Sequence, residues 1–340
     1  MTPADRPAEL ALPIDDTALA DRLRARMATV EEALYVHASS RAPYVTEAAR
    51  HLLAAGGKRF RPLLVLLAAE AGPRPDAPEV LTAASVVEIT HVGSLYHDDV
   101  MDEAALRRGE DSANARYDNL VAILTGDWLF AKSSELTAQL GPEAVRIQAA
   151  TFTRLVEGQI LETVKPGPDE DALAHYLEVV AGKTGSLIAT SAHYGALFSG
   201  AAPEVVEALT AYGELVGTAF QLSDDILDIA SETEESGKTP GTDLKEGVPT
   251  LPVLMARAST DPADARLLEL LDPERTDLAA DAGLHAEALD LLRKHPALAE
   301  ARAYVVARAQ EAKELLRVLP EGSVRSALED FADVVAVRSA

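Results

Sequence analysis

Apolar residues recur at helical spacing, three and four apart, along nearly the whole chain. The pattern predicts helices over about 17–37, 45–55, 62–72, 77–105, 119–140, 142–163, 169–181, 185–199, 203–231, 250–259, 263–271, 285–294, 297–317 and 322–338. Proline and glycine punctuate these runs, at Gly56-Gly57, Pro62, Pro73-Arg74-Pro75, Pro142, Pro166-Gly167-Pro168, Pro203, Pro262, Pro296 and Pro320. Pro142, Pro203 and Pro262 stand where the first turn of a helix tolerates a missing N–H. Strand alternation is almost absent. The expectation is an all-α chain with no linker, repeat or low-complexity tract, a single domain over 17–340 after a disordered segment at 1–16.

Composition narrows the picture. Aromatics make up only 4% of the chain, which suits helices packed closely on helices. The formal net charge of −24 argues against a nucleic-acid or anionic-membrane partner, both of which need a basic footprint. With no cysteine, disulfides, thiolate metal sites and a Cys nucleophile are excluded. The first residues lack the basic and apolar regions of a signal peptide, and no run of about 18 apolar residues predicts a transmembrane helix. A cytoplasmic protein is expected.

Two runs carry the candidate chemistry. Residues 91–109 read HVGSLYHDDVMDEAALRRG, with Asp98, Asp99 and Asp102 at the centre, and residues 220–228 read FQLSDDILD, with Asp224, Asp225 and Asp228. On a helix, Asp98 stacks on Asp102 and Asp224 on Asp228, while His91 and Gln221 lie seven residues before Asp98 and Asp228. Asp is a mediocre helix former, and adjacent carboxylates repel by about 1 kcal/mol in water and about 4 at a protein surface. Three carboxylates among Val, Met, Ile and Leu call for a cation, and an all-oxygen set suits Mg²⁺. A solvated acidic face explains one such run; it explains two of identical spacing poorly.

Four further stretches fit phosphate. In GGKRFRP, two glycines end one helix, Pro62 opens another, and Lys58, Arg59 and Arg61 lie between, beside a helix N-terminus. Arg107-Arg108-Gly109 follows the first Asp run, its arginines suited to different phosphates. The other two are Gly182-Lys183-Thr184-Gly185 and the loop Gly237-Lys238-Thr239-Pro240-Gly241-Thr242-Asp243-Leu244. Neither is a P-loop, because Leu177 and Glu232 stand where the earlier glycine is needed and strands are missing. The second could close over a bound phosphate.

Together these motifs resemble the trans-isoprenyl diphosphate synthases, the polyprenyl synthetases. The resemblance implies the isoprenoid synthase fold, a large helical bundle around a deep central cavity, usually a homodimer. It implies isopentenyl diphosphate and an allylic diphosphate as substrates, with Mg²⁺ as cofactor, three ions when diphosphate is bound. Carried over by residue, Lys58, Arg61, His91 and Arg108 would hold isopentenyl diphosphate. Arg107, Lys183, Thr184, Gln221 and Lys238 would hold the allylic diphosphate, with Lys183, Gln221 and Lys238 acting in its ionisation. Asp98, Asp102 and Asp224 would lead the metal ligands, with Asp99, Asp225 and Asp228 weaker or indirect. The chain departs from the pattern at Val248, where members often carry Lys; Lys245 lies close in sequence.

Gly93 and Ser94, small residues one turn before Asp98, predict a cavity continuing towards Thr90 and Val87, and hence a product beyond C20. The competing reading is that they allow tight helix packing. Short-chain synthesis, terpene cyclisation on the same fold, a non-catalytic synthase subunit and an acidic metal-buffering protein are the alternatives. The basic motifs and intact Asp runs weigh against the last three.

Overall fold

The structure, a computed structural model, describes residues 12–167, 169–231 and 240–337. The described residues are overwhelmingly helical. In order they form α1 (Thr17–His37), α2 (Pro43–Ala54), α3 (Phe60–Ala69), α4 (Pro78–Met101), α5 (Ala113–Tyr117), α6 (Asn119–Gln139), α7 (Pro142–Glu162), α8 (Ala172–Val180), α9 (Ser186–Ser199) and α10 (Pro203–Ala230). After these come α11 (Thr242–Glu246), α12 (Leu251–Arg257), α13 (Ala265–Leu270), α14 (Ala282–Lys294), α15 (Pro296–Leu315) and α16 (Ser323–Val337). One ribbon, β1 (Leu106–Arg107) with β2 (Glu110–Asp111), interrupts them, and a π-helical turn, Ala181–Gly185, joins α8 to α9.

The punctuation acts as expected. Pro43, Pro78, Pro142, Pro203 and Pro296 each begin a helix, while Pro262 opens a short 3₁₀ turn instead. Aspartates supply N-caps. The Asp16 carboxylate accepts from the Ala18 and Leu19 amides, Asp171 from Leu173 and Ala174, and Asp281 from Gly283 and Leu284. Of the segment expected to be disordered, residues 12–16 are described: Leu12 is buried and Asp16 forms the α1 cap. The helix expected to reach 105 ends at Met101, because Glu103 takes a left-handed φ of 48°. Among the described residues no helix is long and apolar enough to cross a membrane.

The chain gathers into two compact units. The first takes residues up to Thr153, Leu187–Gly213 and Leu315–Asp330; the second takes Arg154–Ser186, Glu214–Glu314 and the residues from Phe331. Each is assembled from three separate stretches of the chain.

In the first unit α3 is the buried centre, with Leu63 to Ala69 at most 1% exposed. An α9 side chain at Gly195 would land on the Val65 carbonyl oxygen and the Ala68 methyl, so the backbones of α9 and α3 touch. The Tyr96 hydroxyl on α4 donates to the Ala48 carbonyl and accepts from the Leu52 amide at 3.3 Å, tying α4 to α2. In the second unit Arg293 on α14 donates to the carbonyls of Ile229, at 2.7 Å, and Ser231, pinning the end of α10. His285 on the same helix bonds the Gly241 carbonyl at 2.8 Å.

Candidate active site

The first Asp run closes α4. Asp102 is the C-cap residue, and its amide donates to the Asp98 carbonyl at 2.8 Å, so the two keep helical register. Their neighbour behaves differently. Asp99 is fully buried, and its carboxylate accepts from Arg107 Nε at 2.6 Å and from the Ala113 amide at 2.9 Å. Asp98 is half-buried, and the Asp102 side chain is 56% exposed, with Arg107 Nη2 3.6 Å away.

The Arg-Arg-Gly stretch is a hairpin rather than a helix. Leu106 pairs with Asp111 and Arg107 with Glu110, leaving Arg108 and Gly109 at the turn with φ of 56° and 80°. Positive φ at both central positions is the type I′ pattern that suits the twist of a ribbon. The two arginines diverge as expected. Arg107 turns to Asp99 and Asp102, whereas Arg108 Nη1 donates to the carbonyls of Leu52, at 2.9 Å, and Gly56. A Cβ on Gly57, whose φ is 143°, would lie 2.9 Å from the Arg108 guanidinium carbon. The Gly-Gly turn is therefore moulded around that side chain.

Of the three cations in GGKRFRP, Lys58 is exposed, Arg61 is half-buried and Arg59 is buried. Arg59 forms ion pairs with Glu31 and Glu88 instead of standing ready for an anion. His91, on α4, is held well below the usual imidazole value by burial first and then by Arg61, Arg108, Arg59 and Arg107. It is a neutral ring inside a cationic neighbourhood. Burial also lowers Arg108, with Glu88 opposing.

The second run lies on α10. Asp225 repeats the behaviour of Asp99: it is buried, with Tyr176 donating its hydroxyl to one oxygen and Gln221 Nε2 donating to the other at 2.9 Å. Burial pushes its carboxyl up to about 6, with the charges of Asp224 and Asp228 adding to the rise and the two hydrogen bonds opposing it. The Thr184 hydroxyl in the π-helical turn donates to Gln221 Oε1 at 2.9 Å, which fixes the Gln221 amide orientation. Lys183, in the same turn, reaches Glu162 at 2.6 Å. Asp228 accepts from the amides of Thr242 and Asp243 at 3.1 and 3.0 Å, capping α11. Asp224 is half-buried. Lys238 lies outside the described residues. Val248 is half-buried, and Lys245 is exposed on α11.

The small residues above the first run differ in use. Gly93 gives its space to the α4–α6 crossing: an added Cβ would lie 3.2 Å from the Phe130 ring and 3.4 Å from the Gly126 carbonyl oxygen. Ser94 is half-buried and donates to the His91 carbonyl at 2.8 Å. Thr90 is buried, 2.7 Å from Ser133 Oγ and 2.8 Å from Gln148 Nε2. Glu31, Glu88 and Tyr176 escaped the sequence reading. Glu88 left a signal, a lone acid in the apolar run SVVEITHVG, three residues before His91.

Among the described residues no three His, Asp or Glu side chains form a closed metal cage. Mg²⁺ does not need one, since one or two carboxylates, water and substrate phosphate complete its shell. The flanking aspartates Asp98, Asp102 and Asp224, oxygen donors that are half-buried or exposed, fit that demand.

Residues 42–287 match the family model described as polyprenyl synthetase. The chain belongs to the polyprenyl synthetase family. It is 47% identical over 325 residues, 96% of both chains, to nonaprenyl diphosphate synthase of Mycobacterium tuberculosis. Among solved structures it resembles geranylgeranyl pyrophosphate synthase of Corynebacterium glutamicum, crystallised with calcium and isoprenyl diphosphate, at 44% identity and TM-score 0.85, covering 96% of this chain and 99% of that one. A decaprenyl diphosphate synthase of Rhodobacter capsulatus is similar at 34% identity and TM-score 0.85, covering 95% and 99%. The all-α isoprenoid synthase fold and the prenyltransferase class expected from the motifs are borne out.

Proposed function

We propose that this enzyme condenses isopentenyl diphosphate with an allylic diphosphate, head to tail and in trans, to give a polyprenyl diphosphate longer than C20. The observation that carries the reading is the shared division of labour in the two Asp runs. Each buries its middle carboxylate, Asp99 or Asp225, against protein donors, while Asp98 and Asp224 are half-buried and Asp102 is exposed. In this reading Asp98, Asp102 and Asp224 are the leading ligands of Mg²⁺ and the others act on their placement. The metal, when bound, supplies Lewis acidity to the leaving diphosphate.

The chain's own residues then divide the reaction. Arg107, Lys183, Thr184, Gln221 and Lys238 orient the allylic diphosphate and stabilise the charge it gains as the carbon–oxygen bond breaks. Lys58, Arg61, Arg108 and the neutral His91 hold isopentenyl diphosphate, whose double bond supplies electrons to the allylic cation. The new bond leaves a tertiary cation, which loses a proton to the released diphosphate and restores a double bond. Apolar helix faces exclude water, which would otherwise capture either cation.

Ser94 faces the growing chain in this proposal, and Thr90, buried in a polar cluster with Ser133 and Gln148, limits the cavity beyond it, since an alkyl tail entering there would break buried hydrogen bonds. The enzyme is proposed to work as a homodimer through the exposed apolar row Leu120, Ile123 and Leu124 on α6, three residues on one helix face.

Mass spectrometry of products made from isotope-labelled isopentenyl diphosphate and allylic primers of increasing length tests the reading. Label should enter chains beyond C20, and a chelator should stop it. Absence of label from every product refutes it.

A further inference from the structure

Within the proposed isopentenyl diphosphate subsite, one cation is already spoken for. Arg59 stands between Lys58 and Arg61 and is the N-cap residue of α3, yet its side chain turns inward. Its Nε lies 2.5 Å from Glu31 on α1, and its Nη1 lies 2.9 Å from Glu88 on α4. Nη2 donates to the Leu53 carbonyl at 3.1 Å, and Nη1 also to the Gly56 carbonyl at 3.3 Å. The backbone of Arg59 is left-handed, at φ 50° and ψ 35°, a conformation unfavourable for any L residue with a side chain. Persistence of such a conformation requires surroundings that impose it, and these four partners supply them.

A buried ion pair is weak evidence for stability, because the desolvation it costs can outweigh its attraction. The partners here suggest a different use. Arg59 and Arg108 share the Gly56 carbonyl and take adjacent carbonyls, Leu53 and Leu52, at the end of α2. The two arginines thus grip the turn that carries Lys58 from both sides. Glu88 is only 2% exposed and sits one turn before His91 on α4. Its charge offsets Arg59 and bears on Arg108 too. The trio holds the backbone on which Lys58 and Arg61 stand.

We infer that Arg59, braced by Glu31 and Glu88, is a positioning residue that sets affinity for isopentenyl diphosphate without touching it. The inference rests on the subsite reading above. It is tested with Arg59→Lys, which keeps the charge for the two glutamates but loses the planar fork that spans Leu53 and Gly56. Steady-state KM values for both substrates, calorimetric titration with isopentenyl diphosphate and thermal melts are measured on the full-length protein.

KM and calorimetric Kd for isopentenyl diphosphate should both rise about tenfold, while allylic KM and saturated kcat stay within about twofold. Glu88→Gln should shift the same two constants in the same direction by about threefold, and serves if Arg59→Lys does not fold. Unchanged isopentenyl diphosphate constants overturn the inference. So does a parallel loss in both KM values, kcat and melting temperature, or the failure of both variants to fold, since each marks a purely structural role. Lys58→Ala separates the two levels: if it leaves the isopentenyl diphosphate constants intact, the subsite reading itself fails. If Lys58→Ala is impaired while Arg59→Lys and Glu88→Gln are normal, only the positioning role falls.

Discussion

Asp99 and Asp225 hold the same place in their runs and meet the same fate, yet in different electrostatic company. Asp99 has a cation, Arg107, against it. Among the described residues Asp225 has the neutral donors Tyr176 and Gln221, with two further carboxylates nearby, and its carboxyl is pushed up to about 6 from a usual 3.8. Its folded value is raised, so between those two values the folded chain keeps a proton that the unfolded chain has released. In metal-free protein, stability is therefore gained as pH falls through 6 and the gain is complete near 3.8. At higher pH the buried charge costs about 3 kcal/mol. Metal-free Asp225→Asn should consequently melt several degrees above the parent at pH 8, with the difference closing towards pH 4; a constant difference across the range would contradict this. Activity moves the other way for the flanking acids. Asp98→Ala and Asp224→Ala should each lower kcat by about 10²–10³-fold, the scale of losing one preorganised electrostatic contact. Variants with normal, chelator-sensitive turnover would remove these residues from the metal set.

At the scale of elements, the Arg107–Glu110 hairpin makes a separable prediction. A Cβ at Gly109 would meet nothing within 4 Å, so Gly109→Ala pays only for the left-handed backbone, about 1 kcal/mol. A small drop in melting temperature should accompany a raised KM for isopentenyl diphosphate as Arg108 shifts on its turn; an unchanged KM would uncouple hairpin from subsite. On α4, Ser94→Phe should shorten the products in a chain-length assay, whereas an unaltered distribution would move the floor elsewhere. Most helices were legible because each is bounded by a residue that acts locally: Pro142 and Pro203 begin helices and Gly141 and Gly200 precede them with positive φ. The hairpin was not legible, since strands of two residues carry no alternation, and Arg108-Gly109 reads equally as a basic surface turn. The inward turn of Arg59, one of three cations in a stretch that fits phosphate, is not legible for a related reason. Its acceptors lie 28 and 29 residues away on either side, and only tertiary packing brings them to it. The inward turn of Asp99 likewise depends on Arg107 and the Ala113 amide, both beyond the end of α4. Ser94 and Gly93, adjacent in sequence, were read alike, but the α4–α6 crossing occupies the space at one of them.

For the molecule as a whole, the charge of −24 sets how copies meet. Two such chains repel over about 10 Å at 0.1 M salt, and added salt shortens that reach without weakening contact between Leu120, Ile123 and Leu124 and a partner. The proposed dimer should therefore tighten with ionic strength, read as a falling dissociation constant in analytical ultracentrifugation. Leu124→Glu should give particles of one 36.0 kDa chain; a dimer that persists in this variant would place the interface elsewhere. The meeting of α9 with α3 bears on what the gene can tolerate. Because the Val65 carbonyl and Ala68 methyl already fill the place of a side chain at Gly195, saturation mutagenesis of that codon should return glycine alone among active clones. Libraries at Gly109 and Gly247, which face open space, should also return asparagine and aspartate.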